Sequence, residues 1–81
     1  MTSNNTIGQI IREERKYHNL TQQQLGDLSG TGLNFISQLE NGKATVRFDK
    51  LLEVLKVLGL SLELTRGKDP ITTSTELGRE D

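Results

Sequence analysis

Residues 20–42, LTQQQLGDLSGTGLNFISQLENG, constrain this chain more than any other stretch. They read as two short helices joined by a tight turn. Thr21-Gln22-Gln23-Gln24 fits a capping box, in which the Thr21 hydroxyl takes an orphan amide at Gln24 and the Gln24 side chain reaches back. Leu25 and Leu28 make the apolar stripe of the first helix, over about 21–28. Ser29-Gly30-Thr31 forms the turn, where Gly30 takes a positive φ at no steric cost. Gly26 supplies the small residue that a close helix crossing demands. Thr31 is the expected N-cap of the second helix, 31–40, with Asn41-Gly42 as its stop. In that helix Ile36 and Leu39 point inward, and Leu33, Asn34, Ser37 and Gln38 share the opposite face, with Phe35 between the two.

The flanking segments follow the same logic. Thr6-Ile7-Gly8-Gln9 is a first capping box, and Ile7, Ile10 and Ile11 recur at helical spacing, which predicts a helix over 6–18. Arg12, Arg15 and Lys16 read as a solvated face. His18, the single histidine, sits in the last turn of that helix, where partial positive charge suits the dipole. After a loop at 44–47, Phe48, Leu51, Leu52, Leu55 and Leu58 predict a fourth helix ended by Gly59. Val54 and Val57 widen its apolar arc.

The period then changes. Leu60, Leu62 and Leu64 alternate with Ser61, Glu63 and Thr65, as in a half-buried strand. A lone strand leaves its backbone unpaired and is a template for a second chain. The expectation is a mostly α fold: a compact four-helix domain followed by one short β-strand that pairs across a homodimer. The organisation is a flexible N-terminus at 1–5, a helical domain at 6–59, a dimerisation strand at 60–66 and a polar tail, read as flexible, at 67–81. Val54, Val57, Leu60, Leu62 and Leu64 are the expected dimer interface. The alternative for 60–66 is an extended segment folded against its own domain.

Charge and composition set the remaining bounds. The net charge of −1 hides an asymmetry: residues 1–68 hold nine Lys/Arg against seven Asp/Glu, whereas the last thirteen residues hold one against four. A near-neutral domain with a local basic face remains compatible with a DNA partner. There is no cysteine, so neither a disulfide framework nor a cysteine-based zinc site is available, and a reducing cytosol fits. No segment resembles a signal peptide or membrane span, so a cytoplasmic protein is expected, nucleoid-associated when bound to DNA. His18 lacks partner ligands for a metal, and no cofactor is expected. No enzyme is expected either: Glu13 and Glu14 are adjacent and face apart, and Glu40 reads as a helix-end charge paired to a basic side chain.

Two helices with a short glycine turn, the second polar outside, suit docking in a major groove about 12 Å wide. Asn34 and Gln38 carry planar amides that match the adjacent donor and acceptor of adenine, Ser37 can meet either kind of edge, and Leu33 can sit against a thymine methyl. Gly32 lets the backbone approach. Gln22, Gln23, Asn41 and Lys43 flank this face and are the expected phosphate contacts.

The stretch TQQQLGDLSGTGLNFISQLENGK resembles the phage-repressor and Cro-like (XRE-type) helix-turn-helix family, through Thr21-Gln22, Leu25, the small residue at 26, Gly30, Ile36-Ser37 and Glu40-Asn41-Gly42. The family's five-helix domain covers residues 6–59 here, with a strand in place of the fifth helix. The resemblance implies base reading by Leu33, Asn34, Ser37 and Gln38, and phosphate contacts by Gln22 and Asn41. Leu33 departs from the polar residue usual at its position. The segment KLLEVLKVLGLSLELTR with its polar tail is similar to HipB-like antitoxins of HipA-type kinase systems. That narrower likeness implies a repressor of its own operon, a palindromic double-stranded operator and a kinase-type toxin as partner. The alternatives are a stand-alone phage-repressor-like regulator, or a protein-interaction adaptor without DNA binding.

Overall fold

A computed structural model describes residues 6–43 and 45–66. Residues 1–5, Ala44 and the tail at 67–81 lie outside the described residues, and so do the expectations for the two termini. Four helices follow in order: α1 Ile7–Tyr17, α2 Gln22–Ser29, α3 Leu33–Glu40 and α4 Phe48–Leu58. Both α1 and α2 pack against both α3 and α4. Ile11, Leu25, Ile36, Leu39, Leu51, Val54, Leu55 and Leu58 form the core between them. A fully buried leucine or isoleucine of this kind contributes about 2–5 kcal/mol relative to alanine.

The helix boundaries have local causes. Both capping boxes are formed: Thr6 with Gln9 and Thr21 with Gln24 exchange side-chain and backbone hydrogen bonds. All four helices close alike, with a backbone N–H bonded back five residues: Leu20 to Arg15, Thr31 to Gly26, Lys43 to Gln38 and Leu60 to Leu55. Each closure needs one residue at positive φ, and Asn19, Gly30, Gly42 and Gly59 provide it.

Four expectations about packing are corrected. Thr31 does not cap α3: Gly32 holds the N-cap position, and the Thr31 hydroxyl lies 2.8 Å from that of Ser29 instead. Leu28 is 62% exposed, because α2 turns only Leu25 and Gly26 fully inward. Phe48 and Leu52 stand on the open flank of α4, whereas Val54 is completely buried. Arg15 belongs to no solvated face: it is buried, in phase with Gly8 and Ile11.

Two glycines decide how closely the helices approach. A Cβ on Gly26 would stand 2.5 Å from the carbonyl carbon of Gly32, so the start of α3 rests directly on α2. A Cβ on Gly8 would collide with the Leu39 carbonyl oxygen, so α1 crosses α3 backbone to backbone.

The segment after α4 forms no strand in the isolated chain. Residues 60–64 have no sheet pairing, and Thr65 makes a single bridge. A strand needs a partner edge for its backbone groups, and the described residues supply none. Leu60 and Leu62 are half-buried against the core, while Leu64 is 69% exposed. Among the described residues no helix is long and apolar enough to cross a membrane.

Candidate nucleic-acid interface

The outer face of α3 is built by what its inner face does. Ile36 and Leu39 are anchored in the core, which turns Asn34 and Gln38 outward. Both are exposed, Ser37 is half-buried beside them, and Leu33 is 40% exposed at the start of the helix. Gly32 takes φ +95° at the N-cap and makes no side-chain cap, so the first amides of α3 are approached over bare backbone. The four side chains that the periodicity assigns to one face therefore do share it.

The flanks are placed as follows. Asn41 is the C-cap of α3 and is exposed, as is Lys43. The Lys43 Nζ lies 3.4 Å from the Gln38 Oε1, which leaves the amide protons of Gln38 for an external acceptor. Gln23 is turned along its own helix, its Nε2 donating to Asp27 at 3.1 Å. Gln22, at the first position of α2, is half-buried and donates from Nε2 to Glu40 Oε1 at 3.1 Å.

Beneath this face lies a buried ion pair. Arg15 donates through Nε to Glu40 Oε2 at 2.7 Å and through a terminal nitrogen to Oε1 at 2.9 Å. Its other terminal nitrogen donates to the Leu20 carbonyl at 2.8 Å. Such bidentate, charge-assisted geometry is what offsets the desolvation of two charges. Burial pushes the Glu40 carboxyl up, but hydrogen bonds from Arg15 and Gln22, and the charges of Arg15 and Arg12, hold it below the usual carboxylate range. The same hydrogen bond to Glu40 raises Arg15, against the opposing effect of burial. The expectation that Glu40 is a paired helix-end charge is met; that its partner is Arg15 was hidden. The register Gly8, Ile11, Arg15 carried the signal, since it puts the arginine on the buried stripe of α1.

Two basic residues at the start of α4 went unassigned in the sequence. Lys50, in the first turn of α4, sits with its Nζ 5.7 Å from the centroid of the Phe35 ring on α3. Arg47, the N-cap of α4, pairs with Asp49 in an exposed contact of 2.7 Å. Neither has a motif signature, because each depends on where the loop delivers α4.

The residues expected at a dimer interface divide. Val54 is enclosed by the chain's own core and offers no surface to a second copy. Val57, Leu60 and Leu62 are partly covered by that core, and Leu64 is open. Among the described residues no group of three His, Cys, Asp or Glu side chains could hold a metal.

Comparison with known proteins agrees with this architecture. Residues 11–64 match the family HTH_3, described as helix-turn-helix. The chain is 45% identical over 58 residues, 72% of its own length and 76% of the other's, to an uncharacterized HTH-type transcriptional regulator, y4mF, of Sinorhizobium fredii (strain NBRC 101917 / NGR234). A helix pair locked through Gly26, with a polar outer face on its second member and a family match over residues 11–64, makes this chain a member of the helix-turn-helix family.

Proposed function

We propose that the chain is a sequence-specific, DNA-binding transcriptional repressor that acts as a homodimer. The observation that carries the reading is the exposed polar face of α3, presented from a helix whose inner face is fixed in the core. Asn34, Ser37 and Gln38 read base edges, Leu33 meets a thymine methyl, and Gly32 allows close approach. Gln22, Asn41 and Lys43 hold the phosphates on either side, while Gln23 contributes less because Asp27 engages its amide. The operator is a palindrome whose half-sites lie about one helical turn, roughly 34 Å, apart.

Pairing of residues 60–66 between two copies brings the reading heads together. The lack of sheet pairing at 60–64 and the open Leu64 side chain support this. One near-neutral domain has few phosphate contacts, and two linked heads multiply weak half-site binding. Within this reading, the likeness of the C-terminal segment to HipB-like antitoxins makes a kinase-type toxin the protein partner, with the operon of the pair as the regulated target.

A mobility-shift titration on the DNA upstream of its own gene, run over a salt series, tests the reading. Tight binding that weakens steeply with salt is expected. Binding that ignores salt, or does not distinguish upstream from unrelated DNA, refutes it. Purification from the native host after nuclease treatment tests the antitoxin role: co-elution of a kinase-like protein is expected, and its absence leaves a stand-alone regulator.

A further inference from the structure

We infer that His18 is a positioning residue: its imidazole pins the Leu58 carbonyl at the end of α4, and so sets the direction in which residues 60–66 leave the domain. The inference rests on the dimer reading above. It adds a residue outside both the reading face and the pairing segment, one that governs how two reading heads are spaced.

One nitrogen makes the latch. His18 Nε2 lies 3.3 Å from the Leu58 carbonyl oxygen and 3.3 Å from Glu14 Oε2. Both neighbours are acceptors, so Nε2 carries the hydrogen and donates. Glu14 stands one turn back on α1 and steers the ring. The Tyr17 ring stands against the imidazole at 77°, with centroids 5.5 Å apart. Two neighbours on its own helix thus orient the imidazole that reaches across to α4.

The carbonyl it reaches stands at the exit of the domain. Leu58 is the last residue of α4, so its C=O has no partner within the helix. The N–H of the same peptide group, that of Gly59, bonds to the Lys56 carbonyl at 3.2 Å. With His18 on the oxygen, both ends of this peptide are engaged. Gly59 follows at φ +74°, with nothing within 4 Å of where its Cβ would stand. A glycine in open space is a permissive joint, and the latch fixes the plane that enters it. Beyond the joint, Leu60 and Leu62 rest on the core and Leu64 is open. Apolar contacts are non-directional, whereas a hydrogen bond specifies an angle. His18 caps α1, and α1 meets α3 backbone to backbone at Gly8. The latch therefore ties the segment 60–66 to the same frame as the reading helix. A turn of about 10° at the joint swings a head that lies about 17 Å from the two-fold axis by about 3 Å, nearly one base-pair rise.

Operators of altered spacing test the latch. The probes are the upstream duplex that the wild-type protein binds, the same duplex with one base pair inserted or removed between its half-sites, and one half-site by itself. His18→Leu removes the donor and keeps an apolar side chain, whereas His18→Gln returns an N–H near the place of Nε2. The fold of both is checked by circular dichroism and thermal melting. His18→Leu is expected to bind the half-site as the wild type does, to bind the native operator roughly tenfold more weakly, and to lose most of the preference for native spacing. His18→Gln is expected to recover both. A folded His18→Leu with wild-type affinity and spacing preference overturns the latch. So does an equal loss on half-site and operator, or a folded His18→Gln that recovers nothing. The protein without DNA gives two more readouts by nuclear magnetic resonance. The wild-type imidazole should carry hydrogen on Nε2, and the backbone amides of residues 60–64 should gain fast motion in His18→Leu and lose it again in His18→Gln. Hydrogen on Nδ1 with none on Nε2, or unchanged motion, also overturns the latch. A wild-type protein that stays monomeric or binds no upstream duplex overturns the dimer or DNA reading instead, so the failures are distinct.

Discussion

Gly26 and Gly32 pass so closely that a methyl group on Gly26 would stand 2.5 Å from the Gly32 carbonyl carbon and 2.7 Å from its oxygen. The obstacle is backbone, which cannot rotate aside as a side chain would. The angle between α2 and α3 thus depends on a missing side chain. Gly26→Ala should cost about 1–3 kcal/mol, the usual range for overpacking, measured by denaturant unfolding. Gly30→Ala is the control. Nothing lies within 4 Å of its Cβ, so it pays only for its φ of +74°, about 1–2 kcal/mol. Only Gly26→Ala should also disturb DNA binding beyond its loss of stability.

The buried pair predicts an acid limb in stability. Glu40 is held below its ordinary value, so the folded state binds its proton less readily than the unfolded state does. Its contribution is complete above the unfolded value of about 4.3 and disappears as pH falls below that, through the lower folded value. Urea midpoints measured between pH 3 and pH 7 should be level at the top and fall in the acid range. The Arg15→Met, Glu40→Leu variant should fall less steeply there.

The reading face should be separable from the fold. Asn34 and Gln38 are exposed and belong to no core contact. Alanine at either position should change stability by less than about 0.5 kcal/mol. Each should cost roughly 1–3 kcal/mol of discrimination at one base position, read by titrating an operator series. An equal loss on every sequence would show that the amide contacts backbone and not a base.

Dimerisation is best probed at Leu64. Leu62 packs against the chain's own core, so Leu62→Asp would damage the fold and the interface together. Leu64 is 69% exposed, and Leu64→Asp should leave the monomer folded. Sedimentation is expected to show dissociation, with a parallel drop in operator affinity. A dimer that survives places the interface elsewhere.

Much of this architecture was legible because its determinants are local. Two capping boxes and three glycine stops mark helix ends, whereas the stop at Asn19 had no such mark, and the 3.6-residue period marks inner faces at Ile11, Leu25, Ile36 and Leu55. What stayed hidden depends on the partner across the gap. The apolar arc of α4 is wider than the surface it covers, and only packing decides that Val54 is enclosed while Phe48 and Leu52 are open. Thr31 has the chemistry of a cap, but the Gly26 contact moves the start of α3 one residue on. Arg15 looked solvated because its anion is twenty-five residues away. The site followed the same division. The shared face of Leu33, Asn34, Ser37 and Gln38 is a matter of register, whereas the tether on Gln22 and the approach of Lys50 to Phe35 are matters of tertiary geometry.

The exposure of Asn34, Gln38 and Leu33 beside the enclosed Ile36 and Leu39 has a consequence for how such a protein changes over time. Side chains on the outer face are free of folding duty, so they can be exchanged one at a time without a stabilising second change. Residues one step around the helix have no such freedom. A gene duplicate could therefore acquire a new target while inheriting its scaffold unaltered.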